Sequence, residues 1–166
     1  MSQNNLNNNR KYCKMDFTID ITLKNRKILY HFLDTLSLEA LNEIPKGFNN
    51  NIFWNIKHTV VVQQMLVYGL SRLPLNISSE EVAGYKKDTK PVKDVTQNEV
   101  NVCKKQLFSL IEKTQEDYKN GLFKEYTAYT VTTKTVLKSA ADAMIFNNFH
   151  EGIHLGYVMA LMRAIQ

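Results

Sequence analysis

Two histidines near the end of the chain have the spacing of metal ligands on one face of a helix. His150 and His154 are four residues apart. Four residues of an α-helix advance by about 400° and rise by about 6 Å, so the two imidazoles lie on adjacent turns and can reach one metal ion. Apolar residues recur by threes and fours on the same face, at Val136, Ala140, Ala143, Tyr157, Leu161 and Ile165. Imidazoles on a face that should be buried need a polar partner, and a metal ion would be one.

The glutamate between these histidines is the candidate catalytic residue. The stretch from His150 to His154 matches the H-E-x-x-H pattern of zinc peptidases, in which the glutamate is the general base. The longer form of that pattern requires a glycine and a third histidine where this chain has Tyr157 and Ala160, and no sheet is predicted. We therefore do not expect a peptidase. Glu151 is either a base for a metal-bound water or an acceptor that orients a ligand, unless it is simply a solvated helix residue.

A third ligand should come from upstream, where His31 and His58 remain. His58 lies on the apolar face of a predicted helix, one turn after Trp54, whereas His31 lies among polar neighbours. We therefore prefer His58, although a core histidine hydrogen-bonded to a neighbour is the alternative. Three nitrogen ligands with an open fourth position are typical of a catalytic metal site. Imidazole ligation favours a divalent transition metal, with Zn or Ni expected first and Fe or Mn as alternatives.

Two asparagines are candidates for binding the cofactor or for orienting its ligands. Asn55 precedes His58 by one helical turn, and Asn147 precedes His150 by one turn. Metal-bound imidazoles usually donate their second N–H to a fixed acceptor, and an asparagine oxygen can be that acceptor. A buried amide satisfied by the backbone is the alternative for each.

Four helices should position these residues. Helical periodicity of apolar residues covers residues 20–42, 51–72, 96–120 and 132–164. The third helix opens with a capping box, Thr96 and Glu99, and stops at Gly121. Residues 74–95 should form a long connection between helices 2 and 3, and residues 122–131 a loop or a short extended piece. We therefore expect an all-α protein, a four-helix bundle with that long connection.

The composition indicates one domain. Residues 1–15 are rich in asparagine and predict a disordered tail, and residues 16–166 a single domain; translation could also start at Met15. The two cysteines are too few for a disulfide scaffold, so we expect a cytoplasmic protein. No apolar run approaches the length of a membrane span, so we expect no membrane partner.

The positive charge does not predict nucleic-acid binding. The net charge is +5, and Arg10, Lys11 and Lys14 contribute three of these charges from the predicted tail. The lysines of the long connection alternate with acidic residues instead of forming a basic stripe, as in Glu80, Glu81, Lys86, Lys87, Asp88, Lys90, Lys93 and Asp94. We therefore expect a small-molecule substrate and no nucleic-acid partner.

Two motifs carry a resemblance to a known family. They are Trp54-Asn55-Ile56-Lys57-His58 in the second predicted helix and His150-Glu151-Gly152-Ile153-His154-Leu155-Gly156 in the fourth. Together they resemble the DinB/YfiT-like superfamily over roughly residues 16–165. The resemblance implies a four-helix bundle that holds a divalent metal by His58, His150 and His154. Relatives often have a glutamine after the last motif glycine, where this chain has Tyr157.

The resemblance also implies a class of reaction. Members with known activity depend on a low-molecular-weight thiol, as bacillithiol transferases and mycothiol-dependent isomerases do, and dimers are common. We therefore expect a metal-dependent enzyme, a thiol S-transferase or a hydrolase, that could form a homodimer. A non-catalytic metal- or ligand-binding bundle is the alternative.

Overall fold

The described chain is mainly helical. The computed structural model describes the backbone of residues 3–166 and the side chains of residues 15–166. Its helices are α1 Gln3–Thr35, α2 Leu38–Asn42, α3 Ile52–Gln64, α4 Ser79–Tyr85, α5 Gln97–Lys119 and α6 Ala140–Ala164. A short antiparallel sheet consists of β1 Tyr129–Thr130 and β2 Val136–Leu137, and α3 continues into a π-helical turn, Met65–Gly69. This content agrees with the predicted all-α class.

The first predicted helix is in fact two helices. Ser37 begins α2 by accepting a hydrogen bond from the backbone N of Ala40 at 3.2 Å. The prediction of one helix to residue 42 is wrong because the apolar periodicity continues across this break. The helix also starts before residue 20, and its Met15 side chain is already buried in the core. Residues 1 and 2, and the side chains of residues 3–14, lie outside the described part, so the tail of residues 1–15 stays a prediction.

The long connection predicted between helices 2 and 3 includes a short helix. It contains α4, which begins with a capping box: the Ser78 side chain accepts from the backbone N of Glu81, and the Glu81 carboxylate accepts from the backbone N of Ser78. The predicted capping box of α5 is also present, at Thr96 and Glu99. Gly121 follows α5 with a φ of +70°, a conformation that glycine adopts without strain.

The last helix begins later than predicted. Residues 129–137 form a hairpin, and Lys134 has a φ of +66° in its loop. Its first strand agrees with the loop or short extended piece predicted for residues 122–131, whereas residues 132–137 are not the first turns of a helix. The helix starts only at Ala140, where Ser139 accepts a hydrogen bond from the backbone N of Asp142 at 3.1 Å. The start predicted near residue 132 is wrong because Thr132 and Thr133, which resemble helix caps, belong to the hairpin loop.

The long helices pack in a way that brings α3 and α6 together. Helix α6 packs against both α1 and α3, and α1 also packs against α5. Leu29, Ile56, Leu107 and Leu161, one from each of these helices, are fully buried in one core. Burial of each such side chain contributes roughly 1.5–3 kcal/mol. Among the helices of the described chain, none is both long and apolar enough to cross a membrane.

Candidate metal centre

Three histidines from two packed helices converge. His58 of α3 lies with its ring centroid 5.2 Å from that of His150 and 4.6 Å from that of His154, and the two rings of α6 are 4.6 Å apart. One nitrogen from each ring lies within 4.8 Å of the other two. His31, the alternative third ligand, is exposed and lies outside this group. The structure thus brings together the three residues that the sequence favoured as ligands.

Hydrogen bonds fix the tautomers of two of these rings. Nδ1 of His58 lies 2.6 Å from the backbone oxygen of Tyr85, which can only accept, so Nδ1 carries the proton. Nδ1 of His154 lies 2.9 Å from Oδ1 of Asn55. In a neutral ring with a protonated Nδ1, Nε2 keeps a free lone pair. Both rings therefore have the tautomer that a metal ligand needs.

All three rings are held neutral. Burial, followed by the charges of His154, His58 and Arg26, lowers the pKa of His150 to about 3. Burial and then the charge of His58 lower the pKa of His154 to about 4. Burial also lowers the pKa of His58, against the opposing effect of its hydrogen bond to Tyr85. Neutral imidazoles are the form that binds a metal ion.

The polar atoms of the cluster fit a metal ion. Nδ1 of His150 is buried, and no hydrogen-bond partner for it exists in the described chain. Converging lone pairs repel one another unless a cation lies between them, and an unpaired buried nitrogen costs free energy. A divalent metal bound by His58, His150 and His154 would remove the repulsion, and nitrogen ligands suit a transition metal such as zinc.

An open pocket reaches the three histidines. It has a volume of about 460 Å³, which is within the range of small-molecule sites. Its walls come from the π-helical turn, the hairpin and α6, and are mainly apolar: Val62, Met65, Leu66, Leu70, Tyr129, Val131, Phe146, Phe149 and Ile153. In the described chain the cluster contains three ligand residues and no carboxylate or thiol. A metal ion here would therefore keep a coordination position that faces the pocket.

Comparison with known families agrees with this arrangement. The profile of the DinB superfamily matches residues 22–158, which is most of the chain and includes all three histidines. The chain belongs to the DinB superfamily. The resemblance inferred from the two histidine motifs is thereby confirmed. No curated protein gives a significant match to the chain.

Asn55 orients one histidine of this DinB chain. Its Nδ2 donates to Oδ1 of Asn50 at 2.9 Å and to the backbone oxygen of Asn51 at 2.8 Å, so its Oδ1 faces His154. The side chain is buried, and Asn51 itself is the N-cap of α3. The start of α3 therefore fixes both the amide and the histidine that it orients.

Glu151 and Asn147 lie in a buried polar layer. Oε1 of Glu151 accepts from Nε of Arg26 at 2.9 Å, from Nη2 of Arg26 at 2.7 Å and from Nδ2 of Asn147 at 2.7 Å. Arg26 and Glu151 are both fully buried, and neither Glu151 nor Asn147 lines the pocket of the histidines. The predicted roles of Glu151 in catalysis and of Asn147 in cofactor binding stay predictions, and this geometry favours roles in positioning α6.

The contact between α4 and His58 could not be predicted from the sequence. The buried ammonium of Lys57 pairs with Glu81 of α4 and with Gln106 of α5. Nε1 of Trp54 donates to the backbone oxygen of Gly84 at 3.2 Å, and the Trp54 ring stacks on His58 at 4.7 Å. These contacts hold the end of α4 where the backbone oxygen of Tyr85 meets His58. The Ser78–Glu81 capping box was readable in the sequence, but its tertiary contact was not.

Cys103 takes no part in the site. It is fully buried in the core, and burial raises the pKa of its thiol to about 11. Such a thiol is protonated at neutral pH and behaves as a small apolar side chain.

Proposed function

We propose that the protein is a metal-dependent enzyme in which His58, His150 and His154 hold a divalent metal next to a small-molecule pocket. The observation that carries the proposal is the convergence of three neutral imidazoles at an open apolar pocket, with no fourth ligand in the cluster among the residues that the structure describes. A structural metal site would use a fourth protein ligand, whereas a catalytic site keeps one position open. We also propose that α1, α3, α5 and α6 form the four-helix bundle that the sequence predicted.

The reaction we propose is transfer of a low-molecular-weight thiol, or of water, to a small substrate. A bound Zn or Ni ion lowers the pKa of a thiol or water that reaches it, so either becomes a nucleophile at neutral pH. Membership of the DinB superfamily supports the thiol, and hydrolysis is the alternative. The mainly apolar walls would contact the carbon atoms of an organic thiol, which also favours a thiol over water as nucleophile.

The protein's own groups would hold the site rather than react. The backbone oxygen of Tyr85 accepts a hydrogen bond from Nδ1 of His58, and Oδ1 of Asn55 accepts one from Nδ1 of His154. Nε2 of each ring therefore stays available to a metal ion. The buried Arg26–Glu151 pair joins α1 to α6 at the residue that follows His150 in the chain. A cytoplasmic location and a homodimer stay predictions from the sequence.

A proton-release measurement tests the thiol proposal. Purified protein is loaded with zinc and titrated calorimetrically with 2-mercaptoethanol near pH 7 in two buffers of different ionisation enthalpy. We expect about one proton to be released for each thiol bound, because the free thiol is protonated at this pH and the bound thiol is not. Ethylene glycol, the oxygen analogue, and metal-free protein are the controls and should release none.

The outcomes separate the candidate functions. Proton release that disappears in His58→Ala supports a thiol-dependent enzyme. Thiol binding without proton release contradicts it. Turnover of activated esters by the zinc-loaded protein in the absence of thiol would favour the hydrolase, and neither binding nor turnover would favour the non-catalytic bundle.

A further inference from the structure

The pocket of the histidines has an unbalanced positive charge. Among its described lining residues, Lys87 is the one with a permanently charged side chain, and no aspartate or glutamate lines the walls. Lys87 is exposed, and in the described part of the chain no carboxylate lies within ion-pair distance of its ammonium. The neighbouring lysine, Lys86, is equally exposed but does not line the pocket.

The fold places Lys87 at the edge of the pocket nearest His58. The backbone oxygen of Tyr85 lies 2.6 Å from His58, and Lys87 follows Tyr85 by two residues. Two residues span at most about 7 Å of backbone, so the Lys87 side chain starts close to the histidine cluster. Because the end of α4 is fixed by Trp54 and Lys57, this position is set by the fold.

The buried carboxylates of Glu151 and Glu81 do not cancel this charge. The carboxylate of Glu151 is fully buried and already paired with Arg26, so that pair has no net charge. Glu81 is likewise paired with Lys57. A divalent metal held by three neutral imidazoles keeps its full charge, which adds to that of Lys87. A pocket with apolar walls and a net positive charge attracts organic anions.

We propose that the pocket takes an organic anion: an apolar or aromatic body packs against Leu66, Phe146 and Phe149, and an acidic group pairs with Lys87. That this ligand is the substrate rests on the proposed function. The preference for a negative charge is a property of the pocket itself, so it can be measured without metal and without turnover.

Two fluorescent probes that differ by one charged group test the proposal. Anilinonaphthalene sulfonate is an aromatic anion, and phenylnaphthylamine is the same ring system without the sulfonate. Both are titrated into metal-free protein, so that no metal ion competes with Lys87 for the sulfonate. We expect Lys87→Gln to weaken binding of the anionic probe about two- to fivefold, the effect of one partly exposed ion pair, and to leave the neutral probe unchanged.

Two further variants show whether the loss of affinity is specific to Lys87 and whether the probes bind in this pocket. Lys86→Gln removes the same charge one residue away and should leave both probes unchanged. Phe149→Ala shortens a half-exposed wall residue and should weaken both probes, which places them in this pocket. Equal affinity of the anionic probe for wild type and Lys87→Gln would overturn the proposal, as would an equal loss in Lys86→Gln.

Metal uptake is measured on the same samples. A protein that binds no metal but still shows the Lys87 effect would overturn the proposed function and leave the charge preference in place. A protein that binds metal but does not distinguish the two probes through Lys87 would overturn the charge preference alone.

Discussion

Replacement of Glu151 by alanine should destabilise the fold strongly. In the structure Oε1 of Glu151 accepts two hydrogen bonds from Arg26 and one from Asn147, and both members of the ion pair are fully buried. Glu151→Ala would leave the Arg26 guanidinium buried with no carboxylate beside it. A buried charge without its partner is far more costly than a lost surface ion pair.

The magnitude follows from the burial of the pair. Removal of one partner of a buried ion pair costs about 3–5 kcal/mol. In a domain of this size each kcal/mol lowers Tm by about 2–4 °C, so the variant should melt roughly 6–20 °C below wild type. The double variant Arg26→Met with Glu151→Leu replaces the pair by apolar side chains of similar size and should recover most of this loss, because such replacements are often neutral.

Urea unfolding of the metal-free proteins, followed by circular dichroism, gives the free energies directly. Glu112→Ala is the matched control, since Glu112 is an exposed glutamate on α5, and it should stay within about 0.5 kcal/mol of wild type. If Glu151→Ala unfolds at the same urea concentration as this control, the buried pair does not stabilise the fold and our reasoning is refuted. A catalytic base without structural importance would give that result.

Two further predictions concern the histidines. Because burial and neighbouring rings lower the pKa of His150 to about 3 and that of His154 to about 4, the unfolded metal-free chain binds protons near pH 6.5 that the folded chain does not. The free energy of unfolding is therefore highest above about pH 6.5 and decreases as the pH falls towards 4. The decrease is up to about 1.4 kcal/mol per pH unit for each ring. A free energy of unfolding that is the same at pH 7 and pH 5 would contradict this prediction. Asn55→Leu removes the acceptor for Nδ1 of His154 and should weaken zinc affinity about 10–100-fold in a chelator competition. The control Asn101→Leu, on the exposed face of α5, should not change the affinity. Equal zinc affinities of the two variants would exclude the role of Asn55 in orienting His154.

The ligand triad was predictable because its signals are local. Helical spacing alone identifies His150 and His154 in the sequence. His58 is identified by its place on an apolar face between Trp54 and the valines of α3. The capping box at Thr96 and the stop at Gly121 were predictable for the same reason, since a cap is a pattern of neighbouring residues. The hydrogen-bond partner of each histidine Nδ1 cannot be predicted from a local pattern, because it depends on how distant segments of the chain pack.

Arg26 was missed although a signal existed. It continues the helical series Ile19, Thr22, Arg26, Leu29 and Leu33, all of which are buried. A charged residue on a buried stripe indicates a buried partner, and here that partner is Glu151. The second half of the hairpin was predicted as helix because the Thr132–Thr133 pair resembles an N-cap, while the real cap is Ser139.

Metal analysis tests most directly whether one metal ion is held between α3 and α6. Untagged protein, reconstituted with zinc, nickel or manganese, is analysed for bound metal by elemental mass spectrometry alongside His58→Ala, His150→Ala and His31→Ala. We expect about one metal ion per chain in wild type and in His31→Ala, and loss of the metal in His58→Ala and His150→Ala. Absence of metal from reconstituted wild type, or its full retention in His58→Ala, would contradict a metal site formed by these histidines.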